Sequence, residues 1–227
     1  VGSEFLLPSP VSTLQRLTVL VRQADFWRSA VYTLLRIVCG ISLAVLSGIL
    51  FAVISALSGF LRALLTPLSS VIKAAPVSSF ILLLILWLKT DIVPAFIAFL
   101  IALPIIWSYV YDGIRATDKE LLEIAFVFRF GFAKKLKLIY FPAILPYFIT
   151  ACTTGLGFAW KAGVTAEVLA RPEFSIGSKL YDSKLYLEST DLFAWTFVVI
   201  IMSFLFECVV LYFAKKARRS AAGKGRL

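Results

Sequence analysis

Residues 34–57 read LLRIVCGISLAVLSGILFAVISAL, and Arg36 is the single charge among them. A bilayer core about 30 Å thick is crossed by roughly 20 consecutive apolar residues in a helix. This stretch meets that length. Four more stretches of similar character follow, at about 64–88, 92–111, 145–169 and 192–213. They are continuous apolar blocks rather than alternating strands, which argues for spanning helices and against a transmembrane β-barrel. The whole chain agrees: 60% of its 227 residues are apolar and 16% are charged. A soluble domain lies nearer 45–50% apolar and about 25% charged, and disorder requires low hydrophobicity. The fold class is all-α, a polytopic membrane helix bundle with five spans.

Scarce residues narrow the function. The chain has no His, which removes His-based acid–base chemistry. Cys39, Cys152 and Cys208 are far apart in apolar segments, so no metal or haem site has a ligand set. No residue is assigned a catalytic role. An intramembrane enzyme would need paired catalytic groups that are absent.

The spans divide the chain into an extracytoplasmic or interfacial segment (1–28), a membrane domain (29–213) with a cytoplasmic loop (112–145), and a basic cytoplasmic tail (214–227). Residues 11–27 carry apolar positions at helical spacing, as an interfacial helix does. Leu7-Pro8-Ser9-Pro10 before them reads as extended or turn. The chain begins at Val1, Gly2-Ser3-Glu4-Phe5 is either a cloning scar or native, and one N-terminal span is expected to be missing.

Lys and Arg set the orientation. The turn at 58–63, the loop at 112–141 and the tail together hold 13 of them; the opposite side holds 7. The richer side, and with it the C-terminus, is read as cytoplasmic. The net charge of +10 is spread between spans rather than along one stripe, so nucleic acid is excluded as a partner.

Residues 112–146 read DGIRATDKELLEIAFVFRFGFAKKLKLIYFPAILP. Thr117 and Glu120 have capping-box spacing. Leu121, Leu122, Ala125, Phe126 and Phe128 give the helix an apolar face, and Gly131 fits the break after it. A second, basic helix is expected at 132–141, stopped by Pro142 and Pro146. Such a pair must dock on its own bundle or in a partner's groove.

This loop resembles the cytoplasmic mark of permease subunits of binding-protein-dependent ABC importers: E-A-A, three residues, G, nine residues, I, one residue, L-P. Glu123, Ala125, Ile139 and Pro142 match it in register, while Ile124, Arg129 and Phe141 depart; the glycine comes two residues late, as Gly131. Leu7-Pro8-Ser9-Pro10, Ala74-Ala75-Pro76 with Leu86-Trp87, Tyr111-Asp112-Gly113-Ile114-Arg115, and Ala166-Glu167 followed by Ile176-Gly177 are similar, in order, to marks of the nitrate/sulfonate/taurine branch (NitT/TauT).

The resemblance implies a type I ABC importer transmembrane domain in the bacterial plasma (inner) membrane. It implies two ATPase subunits, a second permease copy or homologue, an extracytoplasmic solute-binding protein and surrounding lipid as partners. ATP and Mg belong to the ATPase, since this chain has no phosphate-binding glycine loop and no cofactor of its own. The solute would be a sulfonate, taurine, nitrate, bicarbonate or related anion, or a thiamine-precursor-like compound. Glu123, Ala125, Arg129, Gly131, Ile139 and Pro142 would form the ATPase-coupling loop; Lys134, Lys135 and Lys137 would touch the ATPase or lipid headgroups.

Lys161 lies well inside a span, where a charge is costly and functional by default. It either faces a solute pathway, together with Trp160 and Glu167, or pairs with a group on another helix. Lys73 is read as snorkelling to the interface, and Glu207 as hydrogen-bonded within the bundle. Gly155, Gly157 and Gly163 are read as close-packing positions. The alternative function, an ion-coupled secondary transporter, needs internal repeats and midplane carboxylates; no clear repeat is present and only Glu167 and Glu207 are available.

Overall fold

A computed structural model describes residues 7–224, apart from the side chains of 213–215 and 217–224. The Gly2–Phe5 segment and Arg226 of the tail lie outside the described residues. The helices are α1 (Pro10–Leu20), α2 (Ala24–Leu57), α3 (Gly59–Ala74), α4 (Val77–Trp87), α5 (Val93–Arg115), α6 (Lys119–Val127), α7 (Phe132–Lys135), α8 (Phe141–Ala170), α9 (Ile176–Leu185) and α10 (Ser189–Lys224). A single π-helical turn, Leu136–Tyr140, joins α7 to α8. No strand occurs among the described residues. Four helical segments are long and apolar enough to cross a membrane, and a fifth span results if α3 and α4 count as one.

That pair divides the span expected at 64–88 by a sharp bend at Pro76. The two helices meet at 102°. Pro76 is the cause: it is the residue before α4, extended at φ −60° and ψ 131°, and it has no N–H to carry the α3 ladder forward. Pro104 and Pro146, in contrast, sit inside continuous helices. The interfacial helix expected at 11–27 is also shorter. Ser9 caps α1 by accepting from the Ser12 N–H at 3.1 Å, and Pro10 takes the first position, where no N–H is needed. The chain turns at 21–23, with the Trp27 Nε1–H donating to the Val21 carbonyl at 2.9 Å, and residues 24–28 already belong to α2.

The chain forms two compact units. The first comprises Val1–Ser42, Ala75–Leu100 and Gly157–Phe206. Its apolar centre gathers Leu20, Phe26, Ala30, Ile176, Ala194, Trp195 and Val198, with Phe26 and Trp195 stacked at 5.2 Å. Ion pairs tie α1 and α2 to later elements: Arg16 Nη2 donates to Asp191 Oδ2 at 2.7 Å, and Lys179 pairs with Asp25. The hydrogen bond to Asp191 raises the Arg16 pKa further above its already high value. Helices α2 and α5 approach closely here. A Cβ on Gly40 would sit 2.1 Å from the Ala95 carbonyl oxygen. Gly163 is similarly tight, 2.7 Å from Ile37 Cγ1.

The second unit comprises Leu43–Ala74, Ile101–Leu156 and Glu207–Leu227. Trp107 fills its interior at 7% exposure; its Nε1–H donates to Ser55 Oγ at 3.1 Å and its ring meets Phe51 edge-on. Gly48 and Gly113 are packing positions against Ile106 and Tyr147. Gly155 makes only ordinary contact, 3.8 Å from Ile105, and Gly157 of the first unit faces open space, so of the three glycines expected to pack closely only Gly163 does.

Gly40→Ala and Gly157→Ala should therefore part company. The first forces backbone apart and should sharply reduce the yield of monodisperse protein in detergent. The second should leave thermal unfolding unchanged or raise stability by about 0.5–1 kcal/mol, the helical Gly-to-Ala difference.

Candidate functional site

The loop between α5 and α8 is built by two helix ends. Thr117 is buried and closes α5, its Oγ1 donating to the Gly113 carbonyl at 3.4 Å, while the cap of α6 is Asp118, which accepts from the Glu120 N–H at 2.9 Å. The cap is thus one residue later than expected, and Leu121 stands where a capping box would need Glu or Gln. A carboxylate also suits the positive end of the helix dipole.

The break expected at Gly131 extends over 128–131, and its left-handed residue is Arg129 rather than the glycine. Arg129 adopts φ +54°, its N–H bonds to the Phe126 carbonyl at 3.0 Å, and the Phe130 N–H reaches back to the Ala125 carbonyl at 2.8 Å. That is a Schellman motif, which favours glycine at the left-handed position. The structure puts this position at Arg129, the residue in the glycine slot of the motif. Gly131 instead precedes α7 at an ordinary φ of −61°. Nor do the prolines stop the second helix. Helix runs from Phe132 to Ala170, and Pro142, lacking an N–H, follows the π turn directly.

Ala125 has no exposed surface and Ile139 is 7% exposed, so these two anchor the loop in its own unit. Glu123 and Pro142 are exposed, and Glu123 forms no ion pair among the described residues. Between them α6 presents Ile124, Phe126 and Val127 to the outside, at 50%, 77% and 74% exposure. Lys119, Leu122, Glu123, Phe126 and Val127 line a shallow groove along the helix.

A second cluster lies in the other unit. Glu167 is fully buried. Its Oε2 accepts from Thr33 Oγ1–H at 2.8 Å and from the Gly177 N–H at 3.2 Å. Thr33 Oγ1 in turn accepts from the Ile176 N–H at 3.0 Å, and Ser175 Oγ accepts from the Ser178 N–H at 3.0 Å. The first N–H groups of α9, which have no partner within their own helix, are thus satisfied by side chains from α2, α8 and the residue before α9. Arg36 completes the cluster. Its guanidinium lies 3.6 Å from Glu167 Oε1 and donates to Asp91 at 2.6 Å and to the Glu173 and Phe174 carbonyls at 2.8 and 3.1 Å. These bonds hold the 171–175 link, in which Arg171 and Phe174 both have positive φ.

Sequence reasoning did not find this cluster. Its signals were Arg36, the one charge in the first span, and the order Ala166-Glu167…Ile176-Gly177. Gly177 is required because a Cβ there would fall 2.3 Å from Glu167 Cβ. Of the residues grouped as a pathway, Trp160 and Glu167 are interior. Trp160 is 1% exposed and packs against Phe206 with ring centroids 6.1 Å apart. Lys161 alone is exposed, and it does not pair with Glu167. Glu207 is exposed as well, not tied into the bundle.

Comparison with known proteins now gives this helix bundle its class. The family described as binding-protein-dependent transport system inner membrane component matches residues 15–219. The chain is similar to the putative aliphatic sulfonates transport permease protein SsuC of Bacillus subtilis, with 24% identity over 95% of this chain and 78% of that protein. It is similar to the taurine transport system permease protein TauC of Escherichia coli, with 24% identity over 90% of this chain and 76% of that one. It is also similar to the bicarbonate transport system permease protein CmpB of Synechococcus elongatus, with 27% identity over 70% of this chain and 57% of that one. The chain belongs to the binding-protein-dependent transport system inner membrane component family, in its nitrate/sulfonate/taurine branch. It is a membrane transport subunit of an ABC importer and not an enzyme.

Two predictions follow the geometry. Arg129→Gly should stabilise the α6 end by about 1 kcal/mol, because Gly carries no Cβ penalty in the left-handed region; slower hydrogen exchange at the Phe130 amide would report it. Glu167→Ala should lower the thermal unfolding temperature well below that of Glu167→Gln. Gln keeps an oxygen for Thr33 and Gly177, whereas Ala leaves Arg36 and the α9 amides without it, a loss of about 3–5 kcal/mol for a broken buried pair.

Proposed function

We propose that two copies of this chain, or this chain and a homologue, form the pathway for a small oxyanion-bearing solute, and that the α6–α7 segment couples it to a pair of ATPase subunits. The observation that carries the coupling reading is the exposed apolar pair Phe126 and Val127, on one face with Leu122 and Glu123 of a short helix with both ends capped. A capped helix that leaves such a pair uncovered fits a partner groove. Glu123 on the groove and Lys134 and Lys135 on α7 would add charge recognition at the rim.

The lysine- and arginine-rich loops support a cytoplasmic placement of this segment and of the C-terminus. A solute-binding protein would deliver the solute from the extracytoplasmic side. The sulfonate, taurine and bicarbonate permeases among the relatives support an oxyanion as the solute. Movement of the helices would be driven by nucleotide state in the partner.

The test is co-purification with the ATPase encoded beside the gene, reading both assembly and ATP hydrolysis stimulated by the binding protein. Phe126→Asp should abolish assembly, and Glu123→Ala should weaken it, while both variants stay monodisperse in detergent. Normal coupling by Phe126→Asp would remove the segment from the mechanism.

A further inference from the structure

Helix α3 carries a polar stripe that the coupling mechanism does not use. Arg62, Thr66, Ser69, Ser70 and Lys73 recur at spacings of 4, 3, 1 and 3, which places them on one face. The other faces hold Leu61, Leu64, Leu68 and Val71, all exposed. The stripe looks onto Trp107, Ser108, Tyr111 and Asp112 of α5, and the two helices flank a partly open cavity of about 190 Å³ within the second unit. At about 30 Å³ per water, that is room for roughly six waters or one small solute.

The chemistry of this cavity is one-sided. Lys73 Nζ donates to Ser108 Oγ at 3.3 Å, and the Arg62 guanidinium lies over the Tyr111 ring at 4.4 Å. Neither cation pairs with a carboxylate among the described residues. Thr66 and Ser70 direct their protons to the Arg62 and Thr66 carbonyls, at 2.7 and 3.1 Å. The donors left to a ligand are the Arg62 guanidinium, the remaining N–H groups of Lys73 and the Ser69, Ser108 and Tyr111 hydroxyls. Asp112 is the one carboxylate in the lining, which leaves a formal excess of one positive charge. Charges on spanning segments are costly and serve a ligand or a pathway far more often than they serve packing.

We propose that the cavity between α3 and α5, framed by Arg62, Lys73 and Ser108, binds a single oxyanion group. The group is a sulfonate, carboxylate or phosphate carried by a small solute or by a lipid headgroup. Arg62 offers a planar fork that matches two oxygens, and Lys73 offers a point charge for the third. The Tyr111 ring holds the fork in place from behind. The inference deepens the transport reading and rests on it for the choice of solute, but the binding itself needs no ATPase.

The full chain is placed in nanodiscs of zwitterionic phosphatidylcholine and titrated with methanesulfonate by calorimetry. A parallel sample in phosphatidylglycerol discs is examined for retained lipid by native mass spectrometry. Wild type should bind methanesulfonate in the zwitterionic discs. Arg62→Gln and Lys73→Gln should each weaken binding about tenfold, the effect of one charge-assisted hydrogen bond, and Lys73→Arg should retain it. Where the Gln variants do not fold, Ser108→Val, which removes the hydroxyl, narrows the cavity and keeps both charges, should weaken binding as well.

Retention of phosphatidylglycerol by wild type and its loss in the variants, without methanesulfonate binding, assigns the site to a lipid headgroup. Equal behaviour of wild type and folded variants, or binding of neither probe, overturns the proposal. Assembly with the ATPase is scored on the same preparations, so a failed anion site and a failed coupling segment give different patterns.

Discussion

A carboxylate with no exposed surface holds the first unit together. Glu167 sits near the end of α8, inside a segment long and apolar enough to span a membrane. Burying it alone would be very costly. Its cost is offset because the same oxygen takes a hydroxyl from α2 and an amide from α9, with Arg36 close by. Three elements distant in sequence are therefore joined through Glu167 Oε2, while Oε1, buried without a hydrogen bond, has only the Arg36 charge 3.6 Å away. The 171–175 link keeps its two left-handed residues because Arg36 grips the Glu173 and Phe174 carbonyls.

The second unit is arranged on a different principle. It leaves the groups proposed to act uncovered. The α6 end is closed by backbone bonds, and Phe126 and Val127 stand exposed beside it. The polar face of α3 is likewise turned to a cavity. In the proposed reading a partner completes the first arrangement and a solute or headgroup the second.

Part of the loop's local structure was legible for a simple reason. The motif reflects local geometry, so spacing put Glu123 and Ala125 on one short helix, as found, whereas Ile139 falls in the π turn and Pro142 inside α8 rather than at a stop. The misreadings were also local. Glycine prefers left-handed backbone, so Gly131 attracted the break, yet the bonds returning to Ala125 and Phe126 force that conformation on Arg129. Thr117 looked like a cap because hydroxyl-to-Glu spacing is the usual signal. Asp118, one residue on, is a better acceptor at a helix N-terminus.

What the sequence by itself determined is the class: a helical membrane protein, since apolar length and composition translate directly into spans, and its family, since the motifs keep their order. The tertiary structure decided what single residues do. Hydropathy averages over a window and cannot show that Pro76 turns α3 into α4 through 102°. Nor can it show that Glu167 and Trp160 are interior while Lys161 is not. A buried charge is settled by partners remote in the chain, Thr33 at 134 residues' distance and Gly177 at 10. One sequence carries no record of which distant residues meet.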